Sequence, residues 1–90
     1  MSDVSDKRDA NRYELVVDGV KAVAAYHLSG DVITFTHTIV PEAIGGRGIG
    51  SILIGEALAD VRARGLKVVA QCPFIAAYIE KHPEQRDLLA

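Results

Sequence analysis

Tryptophan is absent from this 90-residue chain, and three tyrosines and two phenylalanines are its only large aromatic rings. Little surface is left for stacking on nucleobases. Positive charge is in no excess: the net charge is −2, and ten arginines and lysines are scattered among twelve acids. The basic footprint of a nucleic-acid binder is missing, so the composition points away from nucleic acid as a partner. A single cysteine excludes an internal disulfide framework, which fits a cytoplasmic protein. No apolar run approaches the roughly 20 residues of a membrane span, which argues against a membrane protein. The first eleven residues, MSDVSDKRDAN, lack the apolar core of a secretory signal. Three histidines and one cysteine, none at ligand spacing to another, give no zinc site.

What is present suffices for one core. Apolar residues make up 49% of the chain, and its length leaves no room for a second domain. Residues 1–11 read as a disordered leader and 12–90 as the folded domain. Tyr13 to Asp18 mixes β-branched and aromatic residues, and Asp18-Gly19 is a hairpin signal. Val20 to Leu28 continues as a strand with a run of small residues, Ala22-Val23-Ala24-Ala25. Ser29-Gly30-Asp31 turns the chain into Val32 to Val40, whose alternation puts Ile33, Phe35, His37 and Ile39 on one face. Three strands in succession form an antiparallel meander that Pro41 closes.

The second half changes period. Ile49, Ile52, Leu53, Leu58 and Val61 recur at helical spacing, and Gly65 after Arg62 and Arg64 is a C-terminal stop. Lys67 to Cys72 is a short apolar strand, Pro73 opens a final helix from Phe74 to His82, and Leu88 and Leu89 in the tail dock back. A crossover as long as that from Val40 to Val68 sets its two strands parallel. The fold class is α/β: an antiparallel β meander, a glycine loop, a long helix, a parallel strand and a final helix.

The chemistry concentrates in Gly45-Gly46-Arg47-Gly48-Ile49-Gly50-Ser51, directly between a strand and a helix. Glycine lets backbone N–H groups approach a ligand, and the unpaired N–H groups of a helix's first turn converge where the macrodipole favours an anion. A pyrophosphate fits on charge and geometry, with Arg47 as a further ion pair. A Walker A loop is excluded because Glu56-Ala57, not Lys-Ser/Thr, follows Gly55. The dinucleotide fingerprint fails because Leu53 holds the place of its third glycine.

These features resemble the GNAT acetyltransferase superfamily, specifically its short single-domain branch. Gly48 and Gly50 take the two small positions of the GNAT loop. Phe35, His37-Thr38, Val40-Pro41-Glu42, Cys72-Pro73-Phe74, Tyr78 and His82-Pro83 reproduce, in order, the motifs of the short branch. One departure is Gly45, where the family carries Gln or Arg. The resemblance, which spans Tyr13 to Leu89, implies binding of acetyl-CoA (coenzyme A) and transfer of the acetyl group to an amine. It implies that Ile39 and Val40 pair with the pantetheine arm, that the amides of Gly46, Arg47, Gly48, Ile49, Gly50 and Ser51 hold the pyrophosphate, and that the strands flanking the site splay. It also implies that larger relatives carry helices that wall the acceptor pocket; their absence here suits an open acceptor such as a protein.

Cys72, at the end of the last strand, would be exposed to the thioester by that splay and could carry the acetyl group as a thiolate. Its other reading is a buried structural cysteine. Tyr78 resembles the tyrosine that protonates the departing thiolate in larger relatives; its other reading is an aromatic that pins the last helix. His37 reads as packing, Glu42 as a solvated acid and His82 as a helix end. Direct attack by the amine and a relay through Cys72 both stand open, as does a non-catalytic CoA-binding or interaction module.

Overall fold

In the computed structural model, which describes residues 4–90, the alternating first half of the chain forms a sheet and the second half adds two helices to it. Strands β1 (Val4–Lys7), β2 (Arg12–Val17), β3 (Val20–Ser29) and β4 (Val32–Ile39) lie side by side in chain order, each antiparallel to the last. Helix α1 (Ile49–Ala63) crosses over to β5 (Lys67–Ala70), which joins β4 in parallel, and helix α2 (Pro73–Lys81) follows. This is the α/β arrangement read from the sequence. Asp18 and Gly19 both take left-handed φ (51° and 75°), as a two-residue hairpin turn requires.

One face of the sheet is buried. Tyr13 and Leu15 of β2, Ala22, Ala24 and Tyr26 of β3, Ile33 and Phe35 of β4, and Val68 of β5 point to it. Leu53, Ile54, Ala57, Leu58 and Val61 of α1 and Ile75 and Ile79 of α2 are buried in the same core. The alanines of β3 leave room for close approach of a helix. On the opposite face Val16, Ile39 and Val69 remain exposed, and no helix among the described residues covers them. Helix α1 ends in a Schellman motif: Leu66 N–H donates to the Val61 carbonyl and Gly65 N–H to that of Arg62, with Gly65 at φ +70°. The 3-10 turn Pro83–Leu88 then returns the tail, burying Leu88, while Ala90 N–H donates to the Val68 carbonyl.

Two expectations are corrected. Residues 4–10 are not a disordered leader: Val4–Lys7 pairs with β2, and a 3-10 turn, Arg8–Ala10, connects them through Asn11 at φ +52°. The inward positions of this edge strand are Val4 and Asp6, opposite Leu15 and Tyr13. Asp6 is satisfied there by the Tyr26 hydroxyl (2.6 Å) and by Arg64 (3.0 Å). Residues 1–3 lie outside the described residues. The single alternation of β4 also fails. Tyr26 pairs with Phe35 but Ala25 pairs with His37, so Thr36 is an extra residue and the faces exchange beyond it. Thr38, opposite the buried Ala24, takes the inner face, while His37 and Ile39 turn to the exposed one. His37 is therefore not a packing residue.

Candidate functional site

The bulge at Thr36 coincides with the point where β4 and β5 part. Their pairing runs from Val32–Lys67 to Phe35–Ala70 and stops. The Phe35 carbonyl accepts from the N–H groups of both Gln71 and Cys72 (3.1 and 3.0 Å), after which the chain turns into α2. From His37 to Ile39, β4 pairs only with β3. Its other edge has no strand partner among the described residues, so backbone groups on that edge can pair with an extended ligand.

That edge leads, through Val40 and a 3-10 turn (Glu42–Ile44), to the glycine loop. Gly46 and Gly48 take left-handed φ (79° and 71°), which L side chains adopt only under strain, and the space where their Cβ atoms would stand is open. Gly48 caps α1. The helix's first backbone hydrogen bond is donated by Ile52 to the Gly48 carbonyl (3.1 Å), leaving the N–H groups of Ile49, Gly50 and Ser51 to point out of the helix end. A cavity of about 310 Å³ lies here, lined by Val40, Gly45, Gly46, Gly48 to Ser51 and Phe74. Convergent donors, the positive end of α1 and an open cradle fit a pyrophosphate. Among the described residues no group of acids, histidines or cysteines could hold a metal ion.

Arg47 does not line this cavity. Its guanidinium pairs with Asp18 of the β2–β3 turn (2.6 Å), and both side chains are exposed. Gly45 sits at φ −66°, where any residue fits, and its missing side chain is not a conformational need. Gly50 serves another purpose: a Cβ there would lie 2.5 Å from Phe74 Cζ, so glycine admits the Phe74 ring against α1. The sequence reading missed Phe74 as a lining residue. Its signal is a glycine in the first turn of an otherwise apolar helix, opposite the aromatic of Cys72-Pro73-Phe74.

Cys72 is buried, contrary to the exposure expected of it, and it caps α2 rather than ending β5. Its Sγ lies 3.3 Å from Thr38 Oγ1, a partner that the bulge supplies. Burial pushes the thiol's pKa up. Hydrogen bonding to the Thr38 hydroxyl, and to the backbone N–H groups of Ile75, Phe74 and Thr38, outweighs burial and brings it below its ordinary value. These hydrogen bonds stabilise the thiolate against the cost of its burial.

Tyr78 is not brought to Cys72. They are six positions apart along α2, roughly 9 Å of helix axis, and the Tyr78 hydroxyl rests against Gly55 of α1. Its ring stacks on His82 (centroids 4.2 Å apart, 25° between planes). Burial, and then the Glu84 carboxylate, raise its pKa, so the phenol stays protonated.

Comparison with known proteins agrees with this geometry. Residues 12–88 match the GCN5-related N-acetyl-transferase family. Protein NATD1 of Mus musculus is 31% identical over 83 residues, covering 89% of this chain and 76% of its own. The NMR solution structure of a GCN5-like candidate N-acetyltransferase from Staphylococcus aureus superposes with a TM-score of 0.74 at 27% identity, covering 100% of this chain and 91% of its own.

Proposed function

The chain belongs to the GCN5-related N-acetyltransferase family, and we propose that it is an acetyl-CoA-dependent N-acetyltransferase whose acceptor is an amine on another protein. The observation that carries this reading is that the unpaired edge of β4 leads at Val40 into the glycine-loop cavity, with Cys72 buried against Thr38 where β4 and β5 part. Acetyl-CoA supplies an activated acyl thioester. The backbone of Ile39 and Val40 would pair with its pantetheine arm, and the N–H groups from Gly46 to Ser51 would hold its pyrophosphate. The Val40 N–H would stabilise an oxyanion. Arg47 would reach a phosphate only by leaving Asp18, and both partners are exposed enough for that exchange.

Cys72, its pKa lowered against burial by the Thr38 hydroxyl and nearby N–H groups, is the nucleophile of this reading, and access to its buried Sγ requires β4 and β5 to open beyond Phe35. As a thiolate it would attack the acyl carbon, forming an acetyl-cysteine as the donor's own sulfur departs with the electron pair of the broken C–S bond. An amine would then take the acetyl group and return the thiolate. Direct attack by the amine is the alternative route. Tyr78, distant from Cys72 along α2, serves binding on this reading rather than proton transfer. The uncovered face of the sheet beside the gap leaves the acceptor side open, which suits a protein chain, and the low cysteine content suits the cytoplasm.

Intact-mass spectrometry after incubation with acetyl-CoA tests the relay. A single acetyl adduct, absent in Cys72→Ala and discharged by added amine, supports it. Transfer to peptide amines that persists in Cys72→Ala makes the route direct. Binding with neither adduct nor transfer overturns the enzymatic reading and leaves a CoA-binding module, which the replacement of Gln or Arg by Gly45 favours.

A further inference from the structure

Charge is unevenly placed on this molecule. Its net charge is −2, yet the uncovered face of the sheet is basic. By strand alternation Lys7 of β1, Arg12 of β2 and Lys21 of β3 point to that face, and Glu14 is its only carboxylate among the described strand residues. Glu14 is 6% exposed, accepts from Arg12 Nε and lies 3.4 Å from Lys21 Nζ, so one anion is shared by two cations. Lys67 also starts from an outward position, but its ammonium donates to the Asp87 carbonyl in the tail (2.9 Å). The helices and the tail hold acids instead, with Glu56 and Asp60 on α1, Glu80 on α2, and Glu84 and Asp87 beyond it.

The register sets the outward cations in a line. Lys7 pairs with Arg12, Arg12 with Ala25, and Ala25 with His37. Their side chains form one row across four strands that starts on two cations and ends on His37. The bulge at Thr36 is what brings His37 into the row. His37 precedes Thr38, which meets Cys72 where β4 and β5 part, so the row leads to the proposed site. Neighbouring strands lie about 4.8 Å apart, which makes the row roughly 14 Å long from Lys7 and roughly 10 Å from Arg12. An extended chain laid along it covers about four residues over the first length and about three over the second. The hydrogen bond to Glu14 uses Arg12 Nε alone, leaving the terminal nitrogens of the guanidinium for a second carboxylate. The row carries no aromatic ring, since Tyr13, Tyr26 and Phe35 point into the core, so it suits carboxylates on an extended chain rather than stacked bases.

Resting on the protein acceptor proposed above, we infer that this basic row docks an acidic segment of that acceptor, with carboxylates about three and four residues from the amine on Arg12 and Lys7. The row thereby selects amines that have acidic neighbours.

Fluorescence anisotropy tests this with labelled peptides of one length. Each carries a single lysine flanked on both sides, at those distances, by glutamates, glutamines or arginines. The proteins compared are the wild type, Lys7→Glu and Arg86→Glu. Both substituted residues are exposed, Arg86 in the tail beside α2, so both variants retain the fold and change the net charge equally. The wild type should bind the glutamate peptide most tightly. Lys7→Glu should weaken that binding about threefold to tenfold, an exposed attraction being lost and a repulsion gained, while Arg86→Glu changes it by less than about twofold. Equal weakening by the two variants reduces the effect to net charge and overturns the row. Tighter binding of DNA or of phosphatidylserine vesicles than of the glutamate peptide overturns the acidic segment as its occupant. Glutamate-peptide binding that Lys7→Glu weakens, without any acetyl transfer, keeps the docking row and removes the acetyltransferase reading. Acetyl transfer to the three peptides at equal rates overturns the docking row and leaves that reading intact.

Discussion

Thr38 and Cys72, 34 positions apart in sequence, meet with Oγ1 and Sγ 3.3 Å from each other where β4 and β5 part. The contact exists because one extra residue, Thr36, turns Thr38 inward. The hydroxyl works with the N–H groups at the start of α2 to favour the thiolate against burial.

Thr38→Val should therefore raise the pKa of Cys72. The pH dependence of its alkylation by iodoacetamide reads this directly. In the wild type the rate should rise at a lower pH than for a free thiol, and in Thr38→Val the profile should move to higher pH. The lost hydrogen bond should also cost about 1 kcal/mol of stability. An unchanged profile would show that Thr38 does not tune the thiol.

Gly50 and Phe74 should prove energetically coupled. A Cβ at position 50 meets the ring at 2.5 Å, so Gly50→Ala forces the ring to move, at a cost of about 1–3 kcal/mol. Removing the ring as well, in Gly50→Ala/Phe74→Ala, should recover most of that cost. A double-mutant cycle by urea unfolding measures the coupling, and additive effects would refute the contact.

Gly45→Gln should be tolerated. The residue sits at negative φ, and a Cβ there makes an ordinary 3.4 Å contact with the Glu42 carbonyl oxygen. Replacing glycine at such a position stabilises by about 0.4–1 kcal/mol through the unfolded chain. Acetyl-CoA should bind more tightly as well, if a side chain at this position helps to shape the loop. Weaker binding in calorimetry would contradict that view.

Asp6→Ala tests the edge strand. The substitution leaves the Tyr26 hydroxyl and the Arg64 guanidinium without their shared acceptor and should cost about 1–3 kcal/mol. For a domain of this size that is a fall in Tm of at least about 4 °C. A neutral effect would mean that residues 4–7 contribute no more than a loose leader.

The same network gives a pH dependence. Burial, and then Asp6, push the Tyr26 phenol up to about 12. A raised folded pKa means stability that is fully present below the unfolded value near 10 and lost as the pH climbs through the folded one. Thermal melts should fall between pH 10 and 12, and Tyr26→Phe should flatten that fall. An identical slope in the variant would remove Tyr26 from the account.

Much of this was legible in the sequence for physical reasons. Asp18-Gly19 and Gly65 mark conformations that few other residues adopt, and the hydrophobic period separates strand from helix without tertiary information. The glycine loop was readable for the same reason, since Gly46 and Gly48 hold left-handed φ beside a helix start. What stayed hidden depends on distant partners. The polar strand Val4–Lys7 looks like a tail because Tyr26 and Arg64, which satisfy Asp6, are far along the chain. The bulge at Thr36 carries no local signature, so His37 was assigned to the wrong face. Burial of Cys72 was one of its two sequence readings, but its partner Thr38 could not be read without the bulge.

Calorimetric titration of the folded protein with acetyl-CoA tests the central claim most directly, with Gly48→Ala as its control. Alanine at Gly48 must adopt a left-handed φ, at about 1–2 kcal/mol, and so deforms the cradle. Saturable binding to one site that weakens at least tenfold in Gly48→Ala, with circular dichroism showing both proteins folded, is the expected result. No binding by the wild type, or equal binding by both proteins, would contradict the glycine loop as the donor site.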